Sequence, residues 1–66
     1  MLVKELLATI LSSNSKPISV DIYDQRGLQV ILFELPGYEN LSSEILDSEV
    51  NKLTLLTVNK IRIDLT

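Results

Sequence analysis

The sequence predicts an α+β domain in which an N-terminal amphipathic helix packs on a small antiparallel sheet, in the order α-β-β-α-β-β. Three observations carry this expectation. Residues 2–12 divide into an apolar and a polar half at helical spacing, and four later runs have the composition and alternation of strands. An acidic stretch, LPGYENLSSEILDSEVNKL, opens on a Pro-Gly break and separates those runs into two pairs. The expected organisation is a single domain over residues 1–66, with no repeat, low-complexity segment or linker.

In the first element, Leu2, Val3, Leu6, Leu7, Ile10 and Leu11 fill one half of a helical wheel, and Lys4, Glu5, Ala8, Thr9 and Ser12 fill the other. A helix lying on a membrane surface would carry several bases on its polar half, and only Lys4 is there. The polar run SSNSKP ends the helix, with Pro17 favouring an extended path. ISVDIY then alternates, with Ile18, Val20 and Ile22 on one face and Ser19, Asp21 and Tyr23 on the other. DQRG is a turn, where Gly27 suits a positive φ. LQVILFEL is the second strand, apolar on both faces from Val30 to Phe33.

Asn40 or Ser42 is placed to cap a short crossover helix, with Glu44 in its first turn and Leu41, Ile45 and Leu46 facing the sheet. KLTLLTV and IRIDLT are the third and fourth strands, joined by Asn59-Lys60 as a two-residue loop.

Size and composition narrow the function classes. A chain of 66 residues buries only about 60% of its unfolded surface, and small scaffolds usually add disulfides, a metal or a partner. With no cysteine and no histidine, disulfides and the usual zinc ligand sets are excluded. Aliphatic density remains, as thirteen leucines, seven isoleucines and five valines. A net charge of −3 opposes nucleic-acid binding, which depends on neutralising phosphates. The N-terminal apolar run is too short and interrupted to cross a bilayer and lacks the features of a secretory signal. The expected location is therefore the cytoplasm, where the sequon at Asn40 has no meaning.

Catalysis has little material without a His base or Cys thiol. Asp21 and Asp24 flank Tyr23 and could offer oxygen ligands to Mg²⁺, but a strand acid followed by a turn acid is the ordinary explanation. DSEVN begins like a calcium loop and then fails, with Lys52 where glycine is required. The two glycines are isolated, so no phosphate cradle is expected. No enzyme, cofactor or metal site is expected.

Two surfaces remain as candidates. Between Gly27 and Asn51 the chain carries Glu34, Glu39, Glu44, Asp47 and Glu49 with no base, a net −5 against +2 for the rest. This segment can steer docking onto a basic protein surface, or serve only to keep a Leu-rich chain soluble. The second candidate is a homodimer interface of Ile31, Phe33, Leu35, Leu56 and Val58, because one small helix cannot cover both faces of apolar strands.

VKELLATIL, VDIYDQRG, YENLSSEILDSEV and the closing IRIDL together resemble a group of small proteins encoded by phages and prophages of Gram-positive bacteria. The resemblance spans nearly the whole chain and transfers no catalytic residue. It implies an accessory protein in the host-cell cytoplasm, with early-gene or anti-defence work. Two functions follow as expectations: a non-catalytic interaction module, including an acidic inhibitor of a host or defence protein, and a structural subunit that associates only with itself.

Overall fold

The computed structural model describes residues 1–13, 16–38 and 41–66. Its elements are α1 (Val3–Ser13), β1 (Ile18–Tyr23), β2 (Gln29–Leu35), α2 (Ser43–Leu46), β3 (Val50–Thr57) and β4 (Lys60–Leu65). The α+β class and the element order are those read from the sequence. The sheet, however, is mixed. Its order is β2-β1-β4-β3, with antiparallel hairpins β1–β2 and β3–β4 joined through a parallel β1–β4 pair. The expectation of an antiparallel sheet fails at this central pair for a reason of chain length. Parallel strands need a connection of a dozen or more residues, and residues 36–49 are long enough to return the chain before the second hairpin begins. Consequently β2 and β3 run the same way on opposite edges.

Local chemistry sets the element ends. The Glu5 carboxylate accepts from the Leu2 N–H at 2.8 Å at the start of α1, half of a capping box. Ser42 caps α2, its Oγ accepting from the Ile45 N–H at 3.2 Å. In the first hairpin turn Asp24 Oδ1 accepts from the backbone N–H groups of Arg26 and Leu28. Gly27 there has φ +81°, the conformation anticipated for it.

The second turn differs from the expected loop. Lys60 already belongs to β4, pairing with Thr57 on one side and Ser19 on the other, so the loop is Val58-Asn59. The Asn59 carbonyl accepts from the Ser19 N–H at 2.9 Å, which ties this turn to the start of β1.

A single apolar cluster forms the core: Val3, Leu6 and Leu7 of α1, Ile18, Val20 and Ile22 of β1, Leu35, Leu41, and Ile61 and Ile63 of β4. The parallel register sets Val20 beside Ile61 and Ile22 beside Ile63, so the odd-even alternation of two strands fuses into one buried face. Ile10, Leu11, Ile31, Phe33, Ile45 and Leu46 pack at its margin. The N-terminal segment is laced to the chain ahead of β3: the Val3 N–H donates to the Ser48 carbonyl, and the Val50 N–H to that of Met1, both at 2.9 Å. Lys4 pairs with Asp47 at 3.0 Å. Between groups this exposed such a pair contributes little stability.

Truncating the fully buried Leu7 to Ala should lower unfolding free energy by about 2–5 kcal/mol. Val58→Ala at the fully exposed turn should change it by less than about 0.5 kcal/mol. Urea denaturation of the two variants checks this, and equal midpoints would contradict the core assignment.

Candidate functional site

The five acids of the base-free segment do not form one surface. Glu34 lies opposite Ser19, on the sheet face away from the core. Glu44 stands in the first turn of α2, whose flanking Leu41, Ile45 and Leu46 join the core on the other side. Asp47 is occupied by Lys4, and Glu49 by the Met1 ammonium at 3.1 Å. Glu39 lies outside the described residues, as do Asn14, Ser15 and the sequon residue Asn40.

The five apolar residues nominated for a dimer interface are likewise split. Leu35 is buried within the chain's own core, and Ile31 and Phe33 pack against that core. Leu56 is a bulge residue bordering the opposite face of β3, and Val58 is at a turn tip. These five therefore cannot make one interface. The β2 face carrying Ile31, Phe33 and Leu35 is the one the core consumes, and Leu32 lies on the other.

The exposed apolar residues of the edge strands are Val30 and Leu32 on β2 and Leu53, Leu55 and Leu56 on β3. β3 is an edge strand, and its Leu53 and Leu55 pair with Ile63 and Ile61 of β4, which places all four on the core side of the sheet. Ile63 and Ile61 are 0% and 5% exposed, whereas Leu53 and Leu55 are 42% and 76% exposed. The cause is width. A helix about 10 Å across spans roughly two strands set about 4.8 Å apart, so a single helix and a short crossover stop short of the fourth strand. Leu56 adds a third exposed leucine to the same edge. Alternation in KLTLLTV sets Leu53 and Leu55 on one face, opposite Leu56 and Val58, but nothing local identifies β3 as an edge.

The face away from the core mixes paired polar side chains with exposed apolar ones, Leu32 opposite Asp21 and Leu56 beside Arg62. Arg62 of β4 stacks on Tyr23 of β1, with its guanidinium carbon 3.9 Å from the ring centroid. Its Nε and Nη2 donate to Asp64 Oδ1 at 3.1 and 2.9 Å. Asp21, 7% exposed, accepts from Gln29 Nε2 at 2.7 Å. A shallow groove of about 480 Å³ lies alongside, bordered by Asp24, Lys52, Thr54, Leu56, Arg62 and Asp64.

Asp21 and Asp24 do not converge. Asp21 serves the strand face, and Asp24 is used by turn N–H groups and by Arg26. Among the described residues no group of three or more acidic, His or Cys side chains could hold a metal ion. Three serines have structural partners: Ser12 Oγ donates to the Thr9 carbonyl, Ser48 Oγ to that of Glu44, and Ser42 caps α2. No helix among the described residues is long and apolar enough to cross a membrane. No family model, curated protein or solved structure matches the chain.

Two titrations report on this geometry. The Asp21 carboxylate, as hydrogen-bond acceptor and as neighbouring charge, raises the Tyr23 phenol above its ordinary 10.0. Phenolate absorbance assigned to Tyr23 by difference from Tyr23→Phe should therefore emerge above pH 10.0, and Asp21→Asn should move it down. An unshifted phenol would contradict the pairing.

The Leu28 N–H, then desolvation opposing it, then the Arg26 side chain set the Asp24 carboxyl, whose net shift is below its ordinary 3.8. A lowered folded value stabilises the fold fully above pH 3.8 and loses that contribution as pH falls through the folded value. Acid unfolding should accordingly lose part of its pH dependence below 3.8 in Asp24→Asn. An unchanged acid profile would show that this turn does not contribute.

Proposed function

We propose that this chain is a non-catalytic protein-interaction module that docks through the β3 edge. The observation that carries the reading is Leu55, 76% exposed on the same sheet face as the buried Ile61 beside it. An edge strand offers unpaired backbone N–H and C=O groups, and a partner strand can use them while its side chains cover the adjoining apolar positions. In this reading α1 covers the β1 side of one sheet face and leaves the β3 side for a partner. The separation of Glu34 from Glu44, and the internal pairing of Asp47 and Glu49, make the acidic segment an aid to solubility and long-range steering. The pattern shared with small phage and prophage proteins supports an accessory role in a bacterial cytoplasm.

A comparison of two double variants tests the choice of surface. Leu53→Glu with Leu55→Glu should keep the native circular dichroism spectrum and lose association, read by sedimentation and by recovery of bound protein from bacterial lysate. Glu34→Lys with Glu44→Lys should retain it. The opposite result would assign docking to charge, and retention by both variants would remove the β3 edge from the account.

A further inference from the structure

Resting on that edge-docking reading, we infer that the strand received by β3 is the β3 of a second copy, paired antiparallel about a two-fold axis centred on Thr54. A two-fold axis normal to the sheet keeps both helical layers on one side, so core-side residues of one edge must meet core-side residues of the other. Centring on Thr54 satisfies this over the regular stretch between the bulges. Leu53 meets the second copy's Leu55, and Leu55 its Leu53, while Thr54 faces its own counterpart.

All four leucines then lie in the layer that already contains Ile61 and Ile63, and they continue the core across the seam. Leu56, exposed at 47%, comes opposite Lys52 and covers its aliphatic stem.

Charge selects the same register. Lys52 is the one ionic residue of β3, and Asp64 sits across from it on β4. Centring on Thr54 keeps the two lysines apart. Sliding the axis to Lys52 would set them directly opposite, which destabilises an antiparallel pair. Sliding it to Leu55 would place Leu53 against Thr57 and leave half of the leucine pairing unmade. The bulges at Asn51 and Leu56 add a limit, since the regular stretch of β3 between them is centred beside Thr54. The two-fold contact is also closed. It consumes one edge of each copy, whereas β3 docking on the β2 edge of the next copy, Lys52 toward Glu34, would propagate or close only as a ring.

The absence of cysteine makes the test clean, because a single substitution introduces a single thiol per chain. Both kinds of antiparallel residue pair bring Cα atoms within disulfide range. Under mild oxidation Thr54→Cys should form a disulfide-linked species at twice 7.4 kDa. It should do so about tenfold or more faster than Glu34→Cys on the β2 edge, because pre-association raises the local thiol concentration. The unsubstituted protein should sediment as a dimer that dissociates on dilution.

Equal rates for the two thiols, faster linkage at Glu34→Cys, or a mass of 7.4 kDa at every concentration would overturn the two-fold pairing. If the pairing falls while Leu53→Glu with Leu55→Glu still abolishes binding to a different protein, the β3 edge remains the docking surface. If that variant also changes nothing, both readings fall.

Discussion

Two hairpins become one sheet here through the parallel pairing of β1 with β4. That pairing sets Val20 beside Ile61 and Ile22 beside Ile63, and these side chains form the floor on which Val3, Leu6 and Leu7 are buried. Were β1 and β4 separated, each hairpin would be a two-stranded ribbon, which is marginal in water by itself. The pairing also dictates the crossover. For β4 to lie parallel to β1, the chain must return along residues 36–49, and that return delivers Leu41 to the core and Ile45 and Leu46 to its margin. It carries the chain to Ser48–Val50 as well, where the N-terminal segment is hydrogen-bonded.

From the same constraint comes the uneven cover of the sheet. With β1 and β4 in the middle, β2 and β3 are both edges, yet they are treated differently. β2 ends in the buried Leu35 and has Ile31 and Phe33 packed against the core. β3 lies beyond that cover, and its leucines remain exposed in the plane where the core ends. The opposite face exposes Leu32 and Leu56 but is otherwise polar. Its charges find partners within the sheet, Arg62 with Tyr23 and Asp64, and Asp21 with Gln29. The exposed Leu53 and Leu55, in the same layer as the buried Ile63 and Ile61, are what direct a functional reading toward β3.

Local features of this fold were legible in the chain, and relations between distant segments were not. The apolar half of residues 2–12 anticipated Val3, Leu6 and Leu7 in the core, and the alternation of ISVDIY and IRIDL anticipated Ile18, Val20, Ile22, Ile61 and Ile63. Gly27 and Ser42 were recognisable because a turn and a cap depend on residues a few positions away. Strand adjacency depends on chain return, so the parallel centre of the sheet was missed, and with it the identity of the edges. That omission explains the misplaced interface: Leu35 and Leu56 look equivalent as apolar strand residues, and only the sheet order shows one inside and the other at the rim. The acidic segment failed as a single surface for a related reason, since sequence proximity said nothing of Lys4 and the Met1 ammonium reaching Asp47 and Glu49.

The claim on which this account turns is that β3 is an open edge in the isolated chain and is paired only on association. Backbone amide hydrogen exchange, resolved by residue and followed over a dilution series, addresses it directly. In the dilute protein, alternate β3 amides that point toward β4 should be protected, and those beyond Val50 that point outward should exchange freely, the Val50 N–H being held by the Met1 carbonyl. Raising the concentration should protect the outward set, while β1 and β4 remain protected throughout. Uniform protection of β3 at every dilution would contradict the account, because it would require a neighbouring strand within the single chain.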